Sequence, residues 1–229
     1  MPQQLILNVA TGDMLSFDSF FCSDANHELI TLLKEQPSRT EPSQMFIWGE
    51  AYVGKTHALQ ASCNFATEMG RKVSYLPLKT LLQYGPEITR GLDDKNLVVV
   101  DDVDSILGNT DWEEALFDLI NRARSNQQCL LFSAKENPRH LSCKLPDLAS
   151  RLIWGETYAL HGLSSDDKEK ALKQRAMQRG IELNDRVLAY LSRHYPRDMG
   201  SLLSMLEVLD QESIRRQSKI TVPFIKQVL

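Results

Sequence analysis

Residues 49–56 read GEAYVGKT and match the pattern G-x-x-x-x-G-K-T, which is typical of a phosphate-binding loop. The glycines of such a loop let the backbone amides converge on a phosphate, and the following helix adds its positive N-terminal end. Lys55 is expected to reach the β- and γ-phosphates of a nucleotide, and Thr56 to bind Mg²⁺. A chance match in a glycine-containing turn is the competing interpretation, and the strand and helix predicted on either side argue against it.

The second candidate group is the pair of acids that ends the run LVVVDD, residues 97–102. Asp101 is expected to hold Mg²⁺ through water, and Asp102 stands where a base or a water-orienting acid would act. Paired acids after a strand often cap a helix instead. The phosphate-binding loop upstream favours the nucleotide interpretation.

Two arginines are candidates for contacts with phosphate. Arg151 ends the predicted helix LPDLASR, where its guanidinium could stabilise phosphate charge on a neighbouring molecule. Arg197 precedes a helix near the C-terminus and could reach back to a nucleotide. For each arginine the competing interpretation is an ordinary surface arginine or salt bridge.

An alternation of apolar strands and helices is expected to position these side chains. Buried strands are predicted at 45–49, 72–78, 97–102, 128–134 and 155–160, and helices at 55–69, 112–125 and 145–152. This alternation predicts a parallel α/β sheet. Residues 162–229 contain only helical patterns, so they predict a small all-helical domain. Residues 37–44 and 84–96 are predicted surface loops.

Composition excludes several other classes of protein. The 229 residues are 42% hydrophobic and 24% charged, an ordinary globular mixture. No apolar run is long enough to span a bilayer, and the four scattered cysteines form no CxxC pair, so we expect a cytoplasmic protein with reduced thiols. The five histidines have no metal-binding spacing. Residues 163–229 carry 12 Lys and Arg against 9 Asp and Glu, which is only a weak indication of anion contact.

Taken together, the motifs resemble the DnaA replication-initiator family of AAA+ ATPases. The resemblance lies in residues 16–29, 45–61, 97–106, 148–155 and 197–206, in that order along nearly the whole chain. It implies an AAA+ P-loop NTPase fold, with a five-stranded parallel sheet sandwiched by helices and a small helical lid. The expected domains are a peptide at 1–14, the AAA+ domain at 15–161 and the lid at 162–229.

The same resemblance implies a nucleotide, ADP or ATP, with Mg²⁺. Thr56 and Asp101 are the implied metal ligands, while the segment around Phe17 to Phe21 lies near the base. The implied nucleotide contacts are Gly49, Glu50, Ala51, Tyr52, Val53, Gly54, Lys55, Thr56, His57, Phe21 and Arg197.

Within the family, the chain resembles short members that lack the N-terminal and helix-turn-helix domains of an initiator and that inactivate DnaA. The N-terminal residues Gln4, Leu5 and Leu7 resemble a peptide that binds the β subunit sliding clamp of DNA polymerase, with Asn8 and Val9 departing from the pattern. Such peptides dock extended, with leucines in an apolar pocket. A plain strand is the competing interpretation of this segment.

The mechanism implied by the resemblance places Arg151 in the nucleotide site of DnaA as an arginine finger in trans, so that DnaA hydrolyses its own ATP. On this interpretation the nucleotide bound to this protein is mainly structural and holds it in one conformation. We also expect a homodimer, and no sequence-specific DNA binding or membrane contact.

Two other functions remain open from the sequence. At the position where AAA+ proteins carry a polar sensor, this chain has Lys135, with Ser133 and Asn137 nearby, and a lysine orients water poorly. Whether the protein is itself an enzyme is therefore uncertain. An AAA+ ATPase that uses its own ATP cycle, with Asp102 as catalytic acid, is one alternative function. A DNA-binding module is the other, and the acidic N-terminal domain argues against it.

Overall fold

Five parallel strands form the centre of the molecule, and the computed structural model describes residues 15–39, 41–195 and 198–229. Their spatial order is β2-β3-β4-β1-β5. The apolar runs correctly predicted all five strands, and the parallel pairing confirms the α/β class. The strands are β1 (Gln44–Trp48), β2 (Val73–Pro77), β3 (Leu97–Asp101), β4 (Cys129–Ala134) and β5 (Glu156–Ala159).

Helices cover both faces of the sheet. Val98 and Val100 of β3 point into one apolar cluster, and Leu97 and Val99 point into the other, because successive side chains of a strand face opposite sides. Every residue of β3 is therefore buried. The helices of this α/β layer are α1 (His27–Glu35), α2 (Lys55–Glu68), α3 (Leu78–Leu81), α4 (Thr110–Ser125) and α5 (Pro146–Leu152).

A separate apolar cluster holds the C-terminal helices together as the predicted lid. Each of these helices begins at a residue whose side-chain oxygen accepts a hydrogen bond from the third backbone amide of the helix, which satisfies an otherwise unpaired donor. The helices are α6 (Ser165–Gln178), α7 (Asp185–His194), α8 (Met199–Arg216) and α9 (Val222–Val228), and their caps are Ser164, Asn184, Asp198 and Thr221.

Hydrogen bonds join the lid to the α/β layer. Gln174 and Gln178, one turn apart on α6, both donate from Nε2 to the backbone carbonyl of Asp18, at 3.1 and 2.9 Å. The lid therefore contacts the α/β layer at the segment that precedes α1. None of the helices in the described ranges is both long and apolar enough to cross a membrane.

The structure departs from the predicted elements in three places. Helices α1 and α3 were not predicted. Residues 84–96, predicted to be a surface loop, contain a 3₁₀ turn at Pro86–Thr89 in which Thr89 is buried. The carbonyl of Thr89 accepts a hydrogen bond from Arg122 at 3.0 Å, which ties this turn to α4.

Candidate functional site

A cleft of about 490 Å³ lies where the carboxyl ends of β1, β3 and β4 meet the lid. In a parallel sheet this edge collects the loops that follow the strands, so it is the usual place for a ligand. The lid contributes residues of α6 and α8. The predicted site residues that line the cleft are Phe21, Ala51, Tyr52, Val53, Gly54, Lys55, Thr56, His57 and Asp102. Gly49, Glu50 and Asp101 lie just behind this lining, as their contacts below show.

The loop between β1 and α2 depends on its two glycines. Gly54 has φ +105°, a left-handed conformation that favours glycine, and a Cβ there would lie 3.2 Å from the ring of Phe20. At Gly49 a Cβ would lie 2.5 Å from the carbonyl oxygen of Leu160, so a larger residue would push β1 and the chain after β5 apart. Tyr52 also has a positive φ, 64°, and this residue is 70% exposed at the rim of the cleft.

The ammonium group of Lys55 lies under this loop. Its Nζ donates to the carbonyl oxygens of Gly49 and Glu50, both at 2.7 Å. Burial lowers the pKa of Lys55, and the carboxylates of Asp102 and Asp101 partly oppose that shift. The group is therefore a poorly solvated cation that gains from any anion entering the cleft.

Asp101 is the meeting point of three elements at the floor of the cleft. Its Oδ2 accepts hydrogen bonds from Thr56 Oγ1 and from Tyr75 Oη, both at 2.8 Å. Its Oδ1 accepts from the buried Ser133 Oγ of β4 and from the amide of Asp102. Because both oxygens are bound by protein donors, the carboxylate is held in one orientation.

The oxygens of Thr56 and Asp101 fit the ligand chemistry of Mg²⁺, which prefers hydroxyl and carboxylate oxygens and keeps most of its waters. A Mg²⁺ ion would use a lone pair of the Thr56 hydroxyl oxygen, so the hydroxyl proton could still be donated to Asp101. Three or more His, Cys, Asp or Glu do not come together as a metal-binding group anywhere in the described ranges. Thr56 and Asp101 would supply only part of a Mg²⁺ coordination shell, and phosphate oxygens and water would complete it.

Asp102 takes a different position from its neighbour. Its φ of 57° is left-handed, so the chain turns sharply after β3 and directs Asp102 into the cleft. Burial raises the pKa of Asp102, and the nearby carboxylates of Asp101 and Asp104 raise it further. Asp101 and Asp102 therefore have different surroundings, and their separate roles stay a prediction.

His57 lies in the first turn of α2, where it lines the cleft and also contacts residues of the segment before α1. Its Nε2 is 3.1 Å from Ser19 Oγ and 3.1 Å from the carbonyl oxygen of Ser16, and its ring packs edge-on against Phe20. Burial lowers the pKa of His57 to about 4, so the ring is neutral near pH 7. His57 therefore ties the segment before α1 to the phosphate-binding loop.

Of the three residues considered at the end of β4, only Lys135 reaches the cleft lining. Its Nζ forms an ion pair with Asp104 at 3.4 Å. Ser133 is buried beneath Asp101, and the side chain of Asn137 accepts a hydrogen bond from the amide of Arg139.

The lid brings residues to the cleft that were not predicted. Ala171 and Arg175 of α6 both line the cleft. They are four residues apart and therefore lie on the same face of the helix, a spacing that could have been read from the sequence. A Cβ on Gly200 at the start of α8 would lie 2.8 Å from the ring of Tyr52, so the loop and the lid are in close contact. Arg197 lies outside the described residues, and so do Gln4, Leu5 and Leu7.

Arg151 lies away from the cleft, in the last turn of α5. Its Nε donates to Asn121 Oδ1 of α4 at 3.1 Å, and its guanidinium carbon is 3.9 Å from the ring centre of Trp154 and 5.5 Å from that of Phe117. The side chain is half-buried rather than freely exposed. It is not among the residues that line the cleft of its own chain.

Comparison with known proteins gives two matches to family models. The model of the bacterial DnaA ATPase domain matches residues 13–159, and the model of the Hda lid domain matches residues 165–229. An uncharacterized protein of Haemophilus influenzae is 38% identical over 230 residues, with 100% of this chain and 99% of that protein covered.

Solved structures share the fold. Domain III of the Thermotoga maritima replication initiation protein DnaA superposes with a TM-score of 0.80 at 19% identity, covering 95% of this chain and 96% of that one. AMPPCP-bound DnaA from Aquifex aeolicus gives 0.70 at 21% identity, with 90% and 68% covered. The Thermotoga maritima RuvB branch migration motor gives 0.64 at 15% identity, with 93% and 70% covered. The AAA+ architecture predicted from the sequence is thereby confirmed.

Proposed function

The chain belongs to the bacterial DnaA family of AAA+ proteins and has a lid domain of the Hda type, and we propose that it is a nucleotide-bound regulator of replication initiation. In this proposal it binds the sliding clamp and DnaA. It then stimulates hydrolysis of the ATP that DnaA holds, so that DnaA becomes inactive. Arg151 is the residue that acts on the partner.

The cleft supports the binding of an adenine nucleotide, ADP or ATP. Its loop amides, the start of α2 and the buried cation of Lys55 together suit a polyphosphate. The apolar side of the cleft, which includes Phe20, Phe21 and Ala171, suits a base. In this proposal Thr56 and Asp101 hold the Mg²⁺ that neutralises phosphate charge, and Arg197 contacts the phosphates from the lid.

We propose that this nucleotide serves mainly to hold the lid against the α/β layer. Lys135 presents a cation to the cleft and is paired with Asp104, so the end of β4 offers no acceptor to orient an attacking water. Both layers line the cleft, so a bound nucleotide would contact both. Intrinsic turnover is expected to be very slow.

The observation that carries the proposal is the position of Arg151. Its half-buried side chain is not part of the cleft lining of its own chain, and Asn121 and Trp154 fix the orientation of its guanidinium. When water attacks the γ-phosphorus of partner-bound ATP, the bond to the β–γ bridging oxygen breaks and negative charge collects on the phosphate oxygens. A guanidinium that donates to those oxygens accelerates the reaction by ~10³–10⁵.

The clamp is proposed as the platform for this encounter. Gln4, Leu5 and Leu7 would dock as an extended peptide, and binding to the clamp raises the effective concentration of the protein near DNA-bound DnaA. Self-association into a homodimer is part of the same proposal, since an AAA+ module with an outward arginine can pair with a second AAA+ module.

An ATPase that cycles its own nucleotide is the second candidate, and Asp102 favours it. The carboxylate lines the cleft and its pKa is raised, as expected for a group that handles a proton. Robust ATP hydrolysis by the isolated protein would support this candidate and would contradict the proposed regulator.

The test is hydrolysis of DnaA-bound ATP in the presence of DNA-loaded clamp. We expect the wild-type protein to accelerate hydrolysis and Arg151→Ala to lose the acceleration, while both proteins bind ADP equally well. Arg186→Ala, which removes a charge from the exposed surface of the lid, is the matched control. If the wild-type protein leaves the rate unchanged, the proposed regulator is wrong.

A further inference from the structure

A second cavity, of about 520 Å³, lies at the amino-terminal edge of the sheet, opposite the cleft. Gln44, Leu130 and Gly155 lie in its lining at the beginnings of β1, β4 and β5, and Arg124 and Trp154 complete the side nearest Arg151. Nothing in the described function of the nucleotide cleft uses this cavity.

The indole ring of Trp154, in the lining of this cavity, makes cation–π contacts with two guanidinium groups. The guanidinium carbons of Arg124 and Arg151 each lie 3.9 Å from the ring centre of Trp154. The two arginines come from different helices, α4 and α5, so the ring is the element that brings them together. Trp154 is 46% exposed, an unusual exposure for a tryptophan unless the ring has a contact to make.

The charges of these two arginines are not balanced within the described residues. Toward the residues that the structure describes, Arg124 forms neither an ion pair nor a side-chain hydrogen bond, and Arg151 uses only its Nε, which leaves both of its terminal nitrogens available to a ligand. By contrast Arg122, on the same turn of α4, pairs with Asp93 and donates to the carbonyl of Thr89. Two unbalanced guanidinium groups around one ring form a concentrated positive site.

We propose that Arg124 and Arg151 form one two-guanidinium site for a polyphosphate, with Trp154 as the positioning residue between them, and that its ligand is the nucleoside triphosphate held by an AAA+ partner. This inference rests on the proposed function and extends it from one arginine to two. Stacking on the indole leaves the edge of each guanidinium, which carries the N–H donors, free to form a bidentate contact with phosphate.

A polyphosphate is the ligand that matches this geometry. A single carboxylate satisfies one guanidinium fork, whereas adjacent phosphate groups offer acceptors to two. A ligand bound to a partner also explains why the site is open at a surface beside a cavity. Arg151 would contact the phosphoryl group that is transferred to water, and Arg124 would contact the neighbouring phosphate.

Hydrolysis of partner-bound ATP is the first test, measured against the concentration of this protein. We expect Arg124→Ala to lower the maximal rate about tenfold, the effect of one charge-assisted hydrogen bond, and Arg124→Lys to restore only part of it because the planar fork is lost. We expect Trp154→Ala to lower the maximal rate more than it raises the half-saturating concentration, and Trp154→Phe to recover part of the rate. A merely structural role for Trp154 would only reduce the concentration of folded protein, which would raise the half-saturating concentration and leave the maximal rate unchanged.

The second test uses the isolated protein with ¹⁵N-labelled tryptophan and Lys55→Ala to suppress phosphate binding at the loop. We expect tripolyphosphate to shift the indole signal of Trp154, assigned with Trp154→Phe, and expect Arg124→Ala and Arg151→Ala each to weaken the response about tenfold. Arg186→Ala should leave the response unchanged.

The two tests separate this inference from the proposed function. If partner hydrolysis is stimulated, but Arg124→Ala matches Arg186→Ala in both the rate and the tryptophan response, the two-arginine site is wrong and the regulator stands. If hydrolysis is not stimulated, the regulator is wrong, and the tryptophan response decides the site. A shift that is lost in both arginine variants supports the site, and an unchanged signal in the wild-type protein overturns it.

Discussion

The hydroxyl of Thr56 donates a 2.8 Å hydrogen bond to Oδ2 of Asp101, which joins the first turn of α2 to the end of β3. The phosphate-binding loop and the acid pair are therefore parts of one hydrogen-bonded unit. Tyr75 of β2 and Ser133 of β4 complete the unit by donating to the same carboxylate from the two strands that flank β3.

Removing one donor from Asp101 is expected to weaken both stability and nucleotide binding. Tyr75→Phe keeps the ring and deletes the hydroxyl, so the buried carboxylate loses one of its partners. We expect a loss of about 1 kcal/mol in the free energy of unfolding and weaker Mg²⁺-dependent ADP binding. Urea denaturation and ADP titration with and without Mg²⁺ measure the two effects.

Tyr158→Phe is the matched control, because among the described residues the Tyr158 hydroxyl donates only to the exposed Glu156, at 3.5 Å. Tyr158→Phe should change neither the free energy of unfolding nor Mg²⁺-dependent ADP binding. Equal behaviour of the two variants would mean that Tyr75 does not hold Asp101 in place.

Loss of the Lys55 ammonium is expected to abolish the phosphate contact without unfolding the protein. Lys55→Ala frees the carbonyls of Gly49 and Glu50, which water can then reach from the cleft. We expect ADP affinity to fall about a hundredfold. Calorimetric titration measures it, with Lys72→Ala, which removes a surface cation paired with Asp94, as control. Retained affinity in Lys55→Ala would place the nucleotide elsewhere.

The sequence was sufficient for the strands and the loop because their signals are local. Val98 to Val100 form an uninterrupted apolar run, and the loop motif occupies eight consecutive positions, Gly49 to Thr56. Helix α1 has buried residues at Leu29, Ile30 and Leu33, a helical spacing, but it was not predicted; in the structure Asn26 at its start makes no side-chain cap. Asn26 instead bonds the backbone of His161, a contact far along the chain.

The contacts around the site required the order of the strands and the packing of the helices. Tyr75 and Ser133 reach Asp101 only because β2 and β4 are the neighbours of β3, and no local pattern gives that order. Arg124 and Trp154 meet because α4 packs on α5, and Arg175 reaches the cleft because the lid lies over it. Non-local contacts of this kind were therefore missed.

The buried imidazole of His57 should make stability depend on pH. Its pKa is about 4 in the folded protein, below the usual 6.5, so the unfolded chain binds a proton at pH values where the folded protein does not. Stability from this group is present above pH 6.5 and is lost as the pH falls towards 4. We expect His57→Gln to remove about 2 kcal/mol of the stability change between pH 7 and pH 5.

Urea denaturation of both proteins at several pH values between 5 and 7 measures this difference. Other groups that titrate in the same range contribute equally to both proteins and cancel in the comparison. Parallel curves for wild type and His57→Gln would show that His57 is protonated normally in the folded state.

Gly155 allows β5 to begin close to β1. A Cβ at this position would lie 1.9 Å from the carbonyl oxygen of Gln44, a backbone atom that cannot rotate away. We expect Gly155→Ala to lower the free energy of unfolding by about 3 kcal/mol. At Gly162 the nearest atom to a Cβ is a methyl carbon of Val53 at 3.6 Å, so Gly162→Ala should cost less than about 0.5 kcal/mol. Similar denaturation midpoints for the two variants would contradict this account of the β1–β5 pairing.

Asn121 should determine how well Arg151 acts on a partner, because its Oδ1 accepts the Nε proton of that arginine at 3.1 Å. Asn121→Ala keeps the helix but frees the guanidinium to rotate. We expect stimulated hydrolysis of partner-bound ATP to fall about tenfold, the cost of losing one charge-assisted hydrogen bond, with ADP binding unchanged because Asn121 is far from the cleft lining. Asn126→Ala, which removes an exposed bond to Asp93 near the end of the same helix, should retain full stimulation. If Asn121→Ala also retains it, the orientation of Arg151 seen here is not the one used in trans, and a partner must reposition the arginine on binding.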